Sequence, residues 1–377
     1  MNAFRNMSPG KPHIWILGGT GAVGYQVIRM LSPDQVDGVT AVSRHAPAKR
    51  AQTGWTHHMQ LDLSQPDVTL PFGMGDRVIN LTEQTPASHV TDAIRRGAII
   101  IDSSASLAYV QSLRRAASEA VGPGYLVDCA GLAPGLTNMM AHRLAAGNPT
   151  TRHVEIAVEL GLGQHAGLAA TEWFLRNLSL SYDAIIDARP QVLRPGQLRG
   201  RFPFHAGSPD RIAVSFPFAE QSVLAQELPG PCTTVLSYLA LDPPWITAAL
   251  TRLLRWGAGG ILSRNADRIA RGLLRLPAFG PASTRVIVRG FDCKGRSTGT
   301  LRFVTGDQTA ATAAVIAATT LAARIQSSPG AKILTAAEIL RLDQAVDAIR
   351  AAQPEARLER KAGAEPVSGT PNEEVAG

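Results

Sequence analysis

Cysteine, aromatic residues and long apolar runs are all scarce in this chain, and each scarcity excludes something. Only three cysteines occur among 377 residues, Cys129, Cys232 and Cys293, far apart and without CxxC or Cys/His spacing. An odd, scattered set supports neither a disulfide framework nor a zinc site, so no metal is expected and the thiols read as reduced. The first dozen residues are polar and hold no apolar segment of the kind a signal peptide needs, which makes a cytoplasmic location the expectation. The longest weakly polar stretch, 309–325, is about 17 residues of mainly Ala and Thr, and fits a buried helix better than a membrane span. Aromatic residues make up 5% of the chain and no recognition motif accompanies its basic residues, so nucleic acid is not an expected partner.

What is present is ample material for two cores, with 45% hydrophobic and 18% charged residues. Lys and Arg outnumber Asp and Glu by 37 to 30, a formal charge of +7. Such a balance favours an anionic partner, and the charge alone does not distinguish a phosphorylated cofactor, an acidic substrate and a membrane.

Residues 13–17 form a short apolar run that stops at a glycine cluster, and residues 25–31 follow with helical spacing. Strand-like runs recur at 39–42, just before Asp62, at 77–81, 98–101 and 125–127, with helical segments at 88–96 and 111–120. This alternation predicts an α/β fold, an N-terminal Rossmann doubly wound parallel sheet over residues 12–135. Gly131-Leu-Ala-Pro134-Gly135 then breaks the pattern before a helix at 138–146. Strand character returns at 154–160, 212–218, 233–239, 285–291 and 299–304, separated by long connections, which predicts a second, α+β domain over 136–306. Helices follow at 309–325 and 335–351, the latter opened by a capping box of Thr335 and Glu338. Residues 353–377 are charged and rich in Pro, Gly and Ser without periodicity, the composition of a disordered tail.

The glycine cluster is where chemistry first shows. Gly19-Thr20-Gly21-Ala22-Val23-Gly24, preceded by Gly18, fits G-x-G-x-x-G between an apolar strand and a helix. In that setting the first glycine permits a tight turn, the second admits a pyrophosphate to the backbone, and the third lets helix pack on strand. The helix start then offers unpaired N–H groups to the anion. An NAD site usually carries Asp or Glu about 20 residues further on to bind the ribose diol. Here that place reads Ser43-Arg44-His45, and a guanidinium beside a hydroxyl suits a 2′-phosphate, so NADP(H) is the expected cofactor. Asp62, at the end of the third strand, is either an adenine contact or a surface turn residue.

Several further segments agree with one family. The GGTGAVG turn, Val78-Ile79-Asn80-Leu81, the run from Gly97 to Ser104, the run from Ala130 to Asn138, Phe216 to Gln221 and Gly306 to Thr312 resemble the saccharopine dehydrogenase-like (saccharopine reductase-type) oxidoreductases. The resemblance spans residues 12–345 and implies a second domain that binds substrate and forms a homodimer. It also implies that the C-terminal helices, residues 307–352, return to pack on the Rossmann domain. By the same resemblance Gly131, Pro134, Gly135 and Asn138 form the wall beside the nicotinamide, and the reaction is an imine reduction. The opening turn also resembles that of aspartate-semialdehyde dehydrogenase-type enzymes, which would make Cys129 a nucleophile, although Asp128 beside it disfavours a thiolate.

Hydride transfer needs placement of the nicotinamide, exclusion of water and a proton source. Loops at the carboxyl ends of the strands are the geometric candidates: Leu81 and Thr82 as cofactor contacts after the fourth strand, with Asn80, Glu83 and Gln84 around them, and Ser103 with Ser104 after the fifth. Glu83 is the candidate to stabilise a cationic imine, with helix capping as its plain alternative. His165, in a glycine-rich loop, is the candidate proton donor, and an exposed loop histidine is its alternative. Trp173 lines a pocket or belongs to the core. Residues 245–276 carry six arginines against Asp267 alone, interleaved with leucines and isoleucines at helical spacing. Such a stretch is a peripheral membrane contact, a lid over a carboxylated substrate, or a solvated helical face. Together these features predict an NADPH-dependent reductase of an amino-acid-derived or cyclic imine. The alternatives are a reductase of a lipid-linked C=C or C=O bond and a non-enzymatic NADPH sensor.

Overall fold

The computed structural model describes residues 10–45, 56–65, 68–163, 167–205, 207–228, 234–324 and 332–362. The chain divides into two units, one of residues 1–136 with 312–352, the other of residues 137–311 with 353–377.

The first unit alternates strands β1 (His13–Leu17), β2 (Gly38–Ser43), β3 (Thr56–Gln60), β4 (Arg77–Asn80), β5 (Ile99–Asp102) and β6 (Tyr125–Asp128) with helices α1 (Ala22–Met30), α2 (Ala87–Arg95) and α3 (Leu107–Glu119). Strands β4, β5 and β6 are buried at every residue, as strands covered on both faces must be, which is why they read as short apolar runs without alternation. The helices bury one stripe each: His89, Val90, Ala93 and Ile94 on α2, and Val110, Leu113, Ala116 and Ala117 on α3. Ile94, fully buried where α2 packs on β5 and β6, would cost about 2–5 kcal/mol if cut to alanine.

The second unit takes up the chain through α4 (Leu136–Gly147) and builds β7 (His153–Gly161), α5 (Leu168–Asn177), β8 (Tyr182–Ile186), β9 (Arg189–Leu193), β10 (Arg199–Phe202), β11 (Arg211–Ser215), α6 (Glu220–Glu227) and β12 (Thr234–Asp242). Three helices follow, α7 (Pro244–Arg255), α8 (Gly259–Arg264) and α9 (Ala266–Leu273), then the hairpin of β13 (Thr284–Phe291) and β14 (Ser297–Thr305). Through α10 (Gln308–Ala322) the chain re-enters the first unit, adding β15 (Ile333–Thr335), α11 (Ala336–Ile339) and α12 (Leu342–Ala352). It ends in the second unit as β16 (Arg357–Ala362).

The first sheet runs β15-β6-β5-β4-β1-β2-β3, every pairing parallel. The second runs β10-β11-β12-β7-β13-β14-β16, mixed, with only β12 and β7 parallel. An α/β Rossmann unit with a second, mixed-sheet unit is therefore the fold. No helix among the described residues is long and apolar enough to cross a membrane.

Three departures from sequence expectation have physical causes. Residues 357–362 are not disordered tail: they pair with β14 from Val304↔Arg357 to Gly299↔Ala362. An edge strand needs backbone partners rather than apolar side chains, and the Arg302–Glu359 ion pair at 3.1 Å supplies a charged cross-strand contact. The hairpin of β8 and β9 turns on Asp187 and Ala188, both at positive φ (52° and 60°). Alanine is an unusual occupant of that tight turn, so no Asn-Gly or Asp-Gly signal announced it. The helix expected over 335–351 is two helices broken at Leu340, which is extended. The capping box does form, the Glu338 carboxylate accepting the Thr335 N–H at 2.7 Å.

Candidate functional site

Because all strands of the first sheet are parallel, the loops after β1, β2, β3, β4, β5 and β6 leave the same edge, and the order reverses between β1's neighbours β2 and β4. That switch point is where α/β sheets bind ligands. The turn from Gly18 to Gly24 sits there. Gly18 has φ +85°, a left-handed conformation that favours glycine, and its N–H bonds the Val42 carbonyl at 2.8 Å. A Cβ on Gly19 would lie 2.6 Å from Ala41 Cβ, and one on Gly24 would lie 2.7 Å from the Gly19 Cα and carbonyl oxygen. Both positions therefore exclude any side chain, and the helix start is held against the strand. Gly21 is different: it is the N-cap of α1, exposed, with φ −72° and only the Gly18 carbonyl near a built Cβ, at 3.2 Å. It brings no side chain to cap the helix, and the first turn of α1 has no acid. The first N–H groups of α1, those of Ala22 and Val23 included, have no acceptor within the helix. Thr20 and Val23 are partly exposed beside them. A pyrophosphate fits this donor set.

At the end of β2, Ser43 Oγ donates to the His45 carbonyl at 2.8 Å, and Gln60 Nε2, from the end of β3, donates to the Arg44 carbonyl at 3.1 Å. The main chain of Arg44 is thus held while its side chain is exposed. Asp62 accepts both the N–H and the hydroxyl of Ser64 on Oδ1, at 3.1 and 2.8 Å. Those two bonds, helped by the nearby Arg44 charge, hold its carboxyl below the usual range. Asp62 is thus a turn-forming residue beside Arg44.

Beyond the turn, a Cβ on Gly18 would touch Leu81 at 3.5 Å, and the Leu81 N–H bonds the Leu17 carbonyl, so the loop after β4 lies against the glycine turn. Thr82 Oγ1 accepts the Gln84 N–H at 3.2 Å and shapes that loop. Ser103 follows β5, its N–H directed to the Asn80 carbonyl at 3.5 Å. Behind these loops is a buried polar cluster. Asn80 Nδ2 donates to Asp102 Oδ2 at 2.6 Å, Thr85 Oγ1 donates to Asn80 Oδ1 at 3.0 Å, and the Tyr109 hydroxyl donates to the Thr85 carbonyl at 2.8 Å. Ser104 adds its N–H and hydroxyl to Asp102. Burial pushes the Asp102 carboxyl up to about 7 in spite of these donors. Asp102 was not among the expected site residues; its one signal was an acid closing an otherwise apolar strand.

Glu83 Oε1 accepts the N–H groups of Ala105 and Ser106, at 3.1 and 2.9 Å, just ahead of α3, and burial raises its carboxyl. It does the work of an N-cap for a helix whose own Ser106 makes no side-chain cap. The structure thus favours positioning over catalysis for this residue. Pro134 stands in the turn after β6, where the Gly131 N–H bonds the Pro134 carbonyl at 2.9 Å and a Cβ on Gly135 would strike the Gly131 carbonyl. Asn138 is buried on α4, in the second unit. His165 lies outside the described residues, as does Cys232. Cys129 is fully buried and Asp128 is held by Arg114, which leaves the thioester alternative without an accessible thiol.

The second unit holds two buried titratable groups that sequence reasoning passed over. Glu159, His205 and Asp242 bring ligand atoms within 4.8 Å of one another. Arg211 bridges both carboxylates at 2.9 Å and Arg285 reaches them at 2.9 and 3.5 Å. Two guanidiniums balance two carboxylates, so the cluster is an ion-pair network rather than an open metal cage. Glu220, fully buried at the start of α6, accepts from Ser237 Oγ at 3.1 Å, while its other oxygen has no hydrogen bond among the described residues. Burial raises it to about 7. Trp173 belongs with an aromatic cluster beside it, 5.6 Å from Phe216 and 6.0 Å from Phe218 between ring centres.

Fold and turn together define a Rossmann unit with a glycine turn at its switch point, joined in the chain to a mixed-sheet α+β unit. Among solved structures, that combination is shared with apo saccharopine dehydrogenase (L-Glu forming) from Saccharomyces cerevisiae, at a TM-score of 0.59 and 15% identity over 94% of this chain and 100% of that one. The chain has the saccharopine dehydrogenase fold. Fainter likenesses are the WlbA dehydrogenase of Chromobacterium violaceum in complex with NADH and UDP-GlcNAcA (TM-score 0.36, 10% identity, 94% of this chain and 90% of that one) and GenD2 from gentamicin A biosynthesis in complex with NAD (TM-score 0.39, 13% identity, 94% and 97%). No protein-family model and no curated protein matches the sequence.

Proposed function

We propose that this chain is an NADP(H)-dependent oxidoreductase that reduces the C=N bond of an amino-acid-derived or cyclic imine. The observation that carries the proposal is the glycine turn, which places an exposed Gly21 at the N-terminus of α1, in a chain matched over 94% of its length by the saccharopine dehydrogenase fold. When bound, NADPH would supply the hydride, and the chain's residues need only hold it, orient the acceptor and provide a proton. The turn from Gly18 to Gly24 would hold the pyrophosphate on backbone N–H groups. Arg44 would meet the 2′-phosphate, the end of β2 having no carboxylate to bind a ribose diol instead. Leu81, Thr82 and Ser103 would line the ring end, and the Asn80–Asp102–Tyr109 cluster would keep those loops in place from behind. Pro134 and Asn138 remain the proposed wall beside the nicotinamide, and His165 the proposed proton donor.

An iminium substrate carries its own activating charge, so the site requires little acid catalysis and much positioning. The test is NADPH oxidation followed over a panel of cyclic imines and of amino acids mixed with aldehydes or oxo acids. Turnover with an imine and with NADPH preferred over NADH is the expected result. Tight dinucleotide binding with no turnover on any C=N acceptor would sink the imine assignment and leave the cofactor site standing.

A further inference from the structure

Seven of the thirteen large hydrophobic side chains exposed among the described residues fall within residues 245–279, among them Trp245, Trp256, Ile261, Leu273 and Phe279. A soluble surface scatters such residues; a cluster of them marks a contact. On α7, Trp245, Ala248, Arg252 and Trp256 are all exposed and recur every three or four residues, so they share one face. Thr247, Leu250 and Thr251 are buried on the opposite side, where α7 packs on β11 and β12. Trp245 stacks on Phe279, ring centres 6.2 Å apart, and both are exposed. Helices α8 and α9, which follow α7 directly in sequence and pack on α5, leave Ile261 and Leu273 exposed in turn.

Charge decides what covers this surface. Arg252, Arg255, Arg264, Arg268, Arg271 and Arg275 are all exposed, and the one acid of the stretch, Asp267, is paired with Arg271 at 3.5 Å. A second copy docked by two-fold symmetry would set these six arginines against six more, with only the already paired Asp267 of each copy to offset them. An anionic bilayer answers both properties at once: indole rings sit at the headgroup level, aliphatic side chains enter below it, and guanidiniums bind phosphates.

We propose that α7, α8 and α9 form a docking face that lays the protein on an anionic lipid bilayer. The inference is independent of the reaction catalysed. Its test is co-sedimentation of the full chain with vesicles of phosphatidylcholine alone and of phosphatidylcholine with phosphatidylglycerol. Binding is expected only to the second, weakening steeply with added salt and accompanied by a blue shift of tryptophan emission. W245A/W256A and R268E/R271E/R275E should each lower vesicle affinity by about tenfold or more, while R95E/R115E, on exposed arginines of the first unit, should not. The two tryptophans are 63% and 80% exposed, so their removal should leave the melting temperature unchanged. Equal binding to both vesicles, binding to neither, or equal loss with R95E/R115E would overturn the proposal. So would a stable dimer abolished by W245A/W256A, or binding to duplex DNA or RNA, lost in the same variants, in place of vesicles. The salt dependence of the unaltered protein keeps the test open should a charge-reversed variant fail to fold.

Discussion

Gly21 and Gly24 lie three residues apart in the same turn, and substitution should separate fold from function between them. A Cβ on Gly24 would lie 2.7 Å from the Cα and carbonyl oxygen of Gly19. Gly19 has little room to retreat, because a Cβ built on it would already lie 2.6 Å from Ala41 Cβ. Gly24→Ala must therefore push α1 off the strand, at about 1–3 kcal/mol, and should lower the melting temperature by several degrees, at roughly 2–4 °C per kcal/mol. At Gly21 the backbone already has an ordinary extended conformation, and the nearest atom to a built Cβ is at 3.2 Å. Gly21→Val should thus cost about 0.5–1 kcal/mol, the loss of a well-tolerated N-cap glycine and a close contact with the Gly18 carbonyl, which is less than Gly24→Ala. Its isopropyl group would stand over the N–H groups that meet the pyrophosphate. Losing two charge-assisted hydrogen bonds of about 1.5 kcal/mol each removes about 3 kcal/mol, a loss of more than about 100-fold in affinity. Calorimetric titration with NADPH and thermal denaturation by circular dichroism read the two effects separately. Gly21→Val that still binds NADPH within a few-fold of the unaltered protein would refute the placement of the anion. Gly21→Val that melts as early as Gly24→Ala would refute the division of roles.

Three further predictions follow from the same geometry. Arg44→Ala should weaken NADPH binding by about tenfold, one lost charged contact, and leave NADH nearly unchanged; an unaltered ratio of the two affinities would remove Arg44 from the cofactor site. Glu83→Ala should cost about 1 kcal/mol by stripping the cap from α3, whereas Glu83→Gln should keep most stability and turnover; a fall in turnover of about 100-fold in the Gln variant with stability intact would restore a catalytic role. Burial raises Asp102 and Glu220 from ordinary values of 3.8 and 4.5 to about 7. Between those values the folded chain holds protons the unfolded chain has released, so stability is greatest at the acid end of that window, falls as pH rises and levels off above pH 7. Asp102→Asn and Glu220→Gln should each flatten part of that slope in denaturant titrations at stepped pH; an unchanged slope in both would mean the two carboxyls are not buried protonated.

Much of the first unit was legible because its signals are local. A buried parallel strand is apolar along its middle, with polar residues such as Arg77, Asn80, Asp102 and Asp128 kept to its ends, and a phosphate turn must carry glycine where helix and strand leave no room for a Cβ, as at Gly19 and Gly24. The arginine-rich stretch was equally visible, since helical spacing and charge are properties of the chain itself. What stayed hidden were features made by partners distant in sequence. The strand at 357–362 exists because β14 offers it an unpaired edge, and nothing in its charged residues announces that.

The sequence by itself determined the layered α/β unit, the glycine turn between its first strand and helix and the guanidinium at the end of the second strand, all consequences of which residue types sit within a few positions of one another. Only the tertiary structure decided the roles of the buried carboxyls. Glu83 became a helix cap when Ala105 and Ser106 arrived over it, and Asp102 reached about 7 because its neighbours exclude water. Folding likewise sorted the hydrophobic residues of 245–279 into a buried side and an exposed one. The physical reason is common to all three: burial belongs to a position in space, and composition or spacing along the chain carries no record of what will come to lie on top.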